Sequence, residues 1–136
     1  MQHDHFIGQV QARARLASRG QAEGVTRATL ETLGERVPEQ LAENLAAQLP
    51  QEIGEHLRRT VTMGGAGSGE RFDREEFIAR VAQRSHREIP EASYAARVVF
   101  EVLAEATTGN ILKHVQDSLS EDLRPLVAAG SRGRLS

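Results

Sequence analysis

A chain of 136 residues without cysteine or tryptophan is of single-domain size, and on folding it buries roughly 68% of the surface its unfolded form exposes. The missing thiols exclude a disulfide framework, a thiolate nucleophile and every cysteine-based zinc site. Seventeen basic and nineteen acidic residues nearly cancel, seven against eight in residues 1–61 and ten against eleven beyond. The charge therefore carries no basic excess of the kind that phosphate neutralisation demands. All basic residues but Lys113 are arginine, which reads as codon bias in a GC-rich genome more than as phosphate recognition.

Ala, Leu and Val supply most of the apolar residues and only four prolines occur, a composition that suits short helices and disfavours strands. The first helix is expected to open at the terminus, where Gln2 is a weak cap, and to bury Phe6-Ile7-x-x-Val10. Ser18, with Gln21 three residues on, starts the second. Pro38 marks the break before the third, and Pro50 starts a short fourth. Thr62-Met-Gly-Gly-Ala-Gly-Ser-Gly69 has the composition of a flexible linker. A phosphate-binding loop would close on Lys-Ser/Thr, where Glu70-Arg71 stands. Phe72-Asp-Arg-Glu-Glu-Phe77 opens the fifth helix, with Asp73 as N-cap, Glu76 closing a capping box and Phe72 stapled to Phe77. The sixth starts at Ile89-Pro90, the seventh follows Thr108-Gly109, and Ser120 starts the eighth. The residues from Gly130 onward have the composition of a frayed tail.

The chain repeats itself. Phe6-Ile7-x-x-Val10 returns as Phe77-Ile78-x-x-Val81 at an offset of 71. After a one-residue gap the offset is 70, and Ala22, Arg27, Leu30, Glu31, Leu33 and Glu35 meet Ala92, Arg97, Phe100, Glu101, Leu103 and Glu105. Leu45, Leu49 and Leu57 then meet Val115, Leu119 and Val127. The expected fold is all-α, eight short helices arranged as two pseudo-symmetric four-helix repeats packed into one globule. Its parts are a first repeat (1–61), a glycine-rich linker (62–71), a second repeat (72–129) and a flexible tail (130–136). One globule is expected because a repeat of about sixty residues is near the lower limit for independent folding, and because Ile111-Leu112 gives the seventh helix more apolar surface than its own repeat can cover.

On a wheel of about 100° per residue, Ala22, Thr26, Leu30, Leu33 and Val37 share one face, with Arg27 on its flank and Glu31 and Glu35 further out. Arg27, Glu31, Glu35, Arg97, Glu101 and Glu105 are the candidate structural or interaction residues. The first reading is an ion pair between neighbouring helices of the same repeat. The second is a carboxylate cluster at the pseudo-two-fold that binds metal, but it lacks the Glu-x-x-His of di-metal bundles. His3 and His5 flank Asp4 as an adventitious metal pair at most, and His56, His86 and His114 occupy unrelated repeat positions. No serine sits in a G-x-S-x-G elbow. No catalytic residue, cofactor or metal site is assigned.

At Arg27-Ala-Thr-Leu-Glu-Thr-Leu-Gly-Glu-Arg36 and Leu45-Ala-Ala-Gln-Leu-Pro50 the sequence resembles a bacterial family, domain of unknown function 2267, over Phe6–Val61 and Phe77–Val127. The resemblance implies tandem copies of a helical unit with a Gln-Leu-Pro turn, and no reaction. The second copy departs from the pattern, with Asp117-Ser118-Leu119-Ser120 in place of that turn and Phe100 in place of the leucine.

The functional expectation is a small cytoplasmic helical protein, not an enzyme. It would act as a scaffold, stress or regulatory module through an unidentified protein partner or through self-association, away from membranes. The alternative is a DNA- or RNA-associated regulator using Arg13, Arg15, Arg19 and the Arg132/Arg134 tail, against which the balanced charge and five aromatic residues argue.

Overall fold

The computed structural model describes residues 1–62 and 71–131, with side chains placed up to Arg59 and from Arg71 to Ala128. Of the expected linker (62–71) and tail (130–136), residues 63–70 and 132–136 lie outside the described residues, whereas Thr62 closes α4 and Gly130 and Ser131 belong to α8. Among those described there are eight α-helices and no strand: α1 (His3–Arg13), α2 (Arg19–Arg36), α3 (Glu39–Ala47), α4 (Gln51–Thr62), α5 (Arg74–Ser85), α6 (Ile89–Ala106), α7 (Ile111–Asp117) and α8 (Arg124–Ser131). None of them is long and apolar enough to cross a membrane.

The helix starts follow local chemistry. Ser18 Oγ accepts from the Gln21 N–H at 3.1 Å, while the Gln21 side chain accepts from the Ala17 N–H at 3.0 Å. At α5, Asp73 accepts from the Glu76 N–H at 2.9 Å, and the Phe72 and Phe77 rings stack with centroids 6.2 Å apart. The expected capping box is only half used: the Glu76 carboxylate reaches forward and accepts from Arg80 Nε at 2.9 Å. Gln2 precedes α1 without a side-chain cap bond.

The eighth helix differs from expectation. Ser120 opens a turn, in which its hydroxyl meets Asp122 and Asp122 accepts from the Arg74 N–H at 2.8 Å, and α8 begins only at Arg124. The corresponding α4 starts directly after Pro50, whose carbonyl accepts from the Ile53 and Gly54 N–H groups at 3.0 and 2.9 Å as the Ser120 carbonyl does from Leu123 and Arg124 at 3.0 and 3.2 Å. α4 lies close on α3 at Gly54, where an added Cβ would stand 2.8 Å from the Ala46 carbonyl oxygen. Arg124 occupies the register position of Gly54, so α8 cannot approach α7 in the same way.

The two long helices form the centre. α2 buries ten residues, among them Thr26, Thr29, Thr32, Gly34 and Arg36, and touches α1, α4, α5 and α6; α6 buries nine and touches α1, α2, α5 and α8. This is the condition of a helix enclosed on most sides, not of one with a single apolar stripe. Its polar core residues satisfy themselves locally where they can, Thr29 and Thr32 donating to the Val25 and Ala28 carbonyls at 2.8 Å each. α1 and α5 each lie against both central helices. The buried apolar side chains make one continuous core from Phe6 to Val127, which takes in both members of the register pairs Phe6/Phe77, Val10/Val81, Leu30/Phe100, Leu33/Leu103, Leu45/Val115 and Leu49/Leu119.

α7, whose Ile111 and Leu112 are buried, rests against both α8 and α3. A pair of hydrogen bonds fastens that corner. The Gln48 side-chain amide donates to the Thr108 carbonyl at 3.1 Å, and its oxygen accepts from the Thr108 N–H at 2.8 Å. The glutamine of the Gln-Leu-Pro turn thus acts as a clasp to the segment before α7. Ser118, in the same register position, donates instead to the Val115 carbonyl of its own helix at 2.7 Å.

Replacing Phe100 or Leu33 by Ala should cost about 2–5 kcal/mol, read as a lowered thermal midpoint; melts within a degree or two of the parent would contradict the packing. Gly54→Ala should also melt lower, although alanine is the better helix former by about 1 kcal/mol, because the Ala46 backbone occupies the space.

Candidate functional site

The six charged residues singled out from the sequence separate into three groups. Glu101 is the most deeply placed, 5% exposed in the last third of α6. A carboxylate taken out of water needs a cation at hydrogen-bonding distance, and it comes from α1: Arg13 Nη1 donates to Glu101 Oε1 at 2.6 Å. The same guanidinium donates to both oxygens of Glu105, one helical turn on, at 2.7 Å each, and its Nε donates to Gln9 at 3.1 Å. Glu101 Oε2 is buried without a hydrogen-bond partner. The hydrogen bond to Glu105 raises Arg13 above its ordinary pKa, and the bond from Arg13 holds Glu105 below its own.

Glu31 and Glu35 on α2 form the second group. Glu35 accepts from Arg84 at 2.7 Å and from Arg80 at 3.0 Å, both on α5. Burial alone would raise its pKa, but the hydrogen bonds and charges of Arg84 and Arg80 prevail and hold it below the ordinary value. Arg84 also donates to Thr32 at 2.8 Å. The Arg80 guanidinium lies over the Phe72 ring at 3.9 Å from its centroid, a cation–π contact. Glu31 stands 4.0 Å from Arg84 and pairs at 2.8 Å with Arg59 of α4.

The expectation of pairing within one repeat is thereby corrected. Only the Glu31–Arg59 contact stays inside residues 1–61; Glu35, Glu101 and Glu105 are held by arginines from the far side of the linker. The reason is geometric, since α1 and α5 each lie across both central helices and their arginines end over the far one. Arg13 and Arg84 were legible in principle: they stand 71 residues apart, the offset of Phe6 and Phe77, although they lie on the first helices and not on the helices that carry the glutamates.

Nor do the four carboxylates converge. They form one pair on α2 and one on α6, each with its own arginines, and among the described residues no three His, Asp or Glu side chains approach closely enough to hold a metal ion. Arg27 and Arg97, the third group, take no part in these ion pairs. Arg27 is exposed, beside Gly20, Glu23, Gly24 and His56. Arg97 is partly covered on α6.

Sequence reasoning missed Arg36. It is 5% exposed at the end of α2, donates from Nε to the Phe72 carbonyl at 3.0 Å, and reaches Ser120 at 3.4 Å. Burial, with Arg71 adding to it, lowers its pKa. Its register counterpart is Ala106, so no repeat signal pointed to it.

Of the arginines in the nucleic-acid reading, Arg13 is committed to Glu101 and Glu105, and Arg19 donates to Asp4 at 2.5 Å. Arg15 is exposed with a positive φ of 57°. Arg132 and Arg134 lie outside the described residues. An open cleft of about 730 Å³ runs between the starts of α5 and α6 and the turn before α8, with Ile78, Ala79 and Ile89 as its apolar lining and Asp73, Glu75 and Asp122 at its polar edge. Ile89 is 52% exposed there.

Arg13→Gln should destabilise the fold by about 2 kcal/mol or more, because it strands the buried Glu101 carboxylate, whereas Glu101→Gln should cost less by removing the charge itself. Chemical denaturation of the two single variants and the double variant measures the difference. Glu35 and Glu105 have folded pKa values below their ordinary 4.5, so the unfolded chain takes up protons first as pH falls. Their contribution is complete above that value and is lost as pH drops through the folded pKa. The thermal midpoint should fall in that acid range and fall less steeply in Arg84→Gln.

The model of a family described as uncharacterized conserved protein (DUF2267) matches residues 3–126. No curated protein matches the chain.

Proposed function

The chain belongs to the DUF2267 family, and on that premise we propose that it is a non-catalytic helical module that works by protein–protein contact, as a scaffold or regulatory partner. The observation that carries this reading is the use to which the duplicated acidic residues are put. Glu35, Glu101 and Glu105 are each engaged by arginines of the other half. Their chemistry is taken up in assembling the fold, and no pair is left facing a cavity as an acid and a base would.

What remains for recognition is surface. Ile89, on the first turn of α6, is a large apolar side chain half out in solvent at the edge of the open cleft, the kind of residue that anchors a partner when it enters a complementary pocket. The alternative of a DNA- or RNA-associated regulator has less to draw on, since Arg13 and Arg19 are neutralised inside the chain.

The finer architecture belongs to the same proposal: two four-helix repeats, related by a pseudo-two-fold axis, that arose by duplication. Its support is reciprocity. The first helix of each half sends an arginine to the glutamates of the other half's second helix, and both arginines and glutamates keep the register offsets. α2 and α6 are also equal at 18 residues.

Affinity capture from the native host with the intact protein and with Ile89→Glu tests the function. A protein recovered at physiological salt by the first and lost with the second is the expected outcome; recovery of none across growth phases counts against it. Residues 1–66 and 67–136 expressed apart should each fail to melt cooperatively, because each central helix would lose the arginine that neutralises its glutamates. Two soluble, cooperatively melting fragments would refute the interlocked arrangement.

A further inference from the structure

Between the start of α2 and the face of α4 that looks onto it lies a small cavity of about 270 Å³, formed entirely by residues of the first half. Gly20, Glu23, Gly24 and Arg27 line it from α2, on one face at helical spacing, and His56 lines it from α4. Open space surrounds the position a Cβ would take at Gly24. The second half has no such opening to offer by sequence, since the register replaces Gly20 by Pro90, Gly24 by Tyr94 and His56 by the buried Leu126.

The charges around the cavity are unevenly committed. Glu23 is engaged by His3 Nε2 at 3.1 Å and Glu31 by Arg59 at 2.8 Å. Arg27 makes no hydrogen bond or ion pair among the described residues, and neither does His56, whose Nδ1 is buried without a partner. Burial, assisted by the nearby Arg59, holds the imidazole below its ordinary pKa. At neutral pH it is an uncharged ring with one N–H to donate. A half-buried polar ring without an internal partner is a cost that the leucine at the same register position avoids. The uncommitted groups are thus a guanidinium, which only donates, and a neutral imidazole, which can turn its single N–H toward a ligand by choice of tautomer while its other nitrogen remains an acceptor.

We propose that this cavity is a binding site for a small oxyanion, a carboxylate or a phosphate group, held by Arg27 and His56 in the space that Gly20 and Gly24 leave open. Charge-assisted hydrogen bonds from a guanidinium are the strong ones for such a ligand, and the volume suits a small group and its water but not a nucleotide. The site lies apart from the cross-half ion pairs and from the Ile89 cleft, so it does not rest on the protein-partner reading.

Titrating the full chain with inorganic phosphate and, separately, with acetate, at ionic strength held constant by sodium chloride, tests the assignment by NMR of the His56 ring and the Arg27 side chain. A saturable shift of both with either anion is expected. Saturation by phosphate alone identifies a phosphoryl group, and by acetate alone a carboxylate. Arg27→Gln and His56→Leu should each weaken binding by roughly tenfold or more, and Gly24→Leu should abolish it by filling the cavity. Gly24→Ala should melt no lower than the parent, since alanine improves the helix and meets no neighbour, which keeps the steric test separate from loss of fold. No saturable shift with either anion, or shifts that survive unchanged in Arg27→Gln and Gly24→Leu, would overturn the proposal.

Discussion

The fold depends on enclosing two long helices that carry carboxylates into their own burial zone. α2 and α6 are covered on most sides, and Glu101 goes down with α6 until only 5% of it is exposed. An ionised carboxylate can occupy that position only with a cation in direct contact, and the cation is supplied from across the molecule by Arg13 at 2.6 Å. The opposite crossing, from Arg84 and Arg80 of α5 to Glu35 of α2, does the same work on the other side. Ion pairs therefore cross in both directions between residues 1–62 and the described residues from Arg71 onward.

Other features fall into place around this crossing. Because α1 and α5 must lie against both central helices, the core is continuous and not two cores in contact. Arg36, turned to the Phe72 carbonyl, fixes the start of α5 against the end of α2, while the ring of Phe72 lies under the Arg80 guanidinium that pairs with Glu35. At the far corner the Gln48 amide clasps Thr108. These contacts are directional, so each is made only at one relative placement of the elements it joins.

The halves are unequal where function has room to differ. Gly54 allows α4 to lie close on α3, whereas Arg124 stands at that register position in α8, after a turn in which Asp122 accepts from the Arg74 N–H. Gly24 and His56 leave a polar cavity where the second half has Tyr94 and Leu126.

Much of this was legible in the residues alone. Helix number, the caps at Ser18 and Asp73, the phenylalanine staple and the core from Phe6 to Leu119 follow from spacing and capping, which are local properties written within a few residues of one another. The internal register was equally open to reading, and it marked Glu31, Glu35, Glu101 and Glu105 as a set. The partners of these residues were not legible. A helical wheel places Glu35 outside the apolar stripe and so in water, whereas tertiary packing lays a second helix over that flank and brings its arginines with it. Only the path of the chain in space decided that Arg13 meets Glu101, 88 residues away, that Arg27 stays out of the network, and that His56 faces an opening. A charge shows its type in the sequence, but the direction from which its counter-ion arrives is set by which helices cross it.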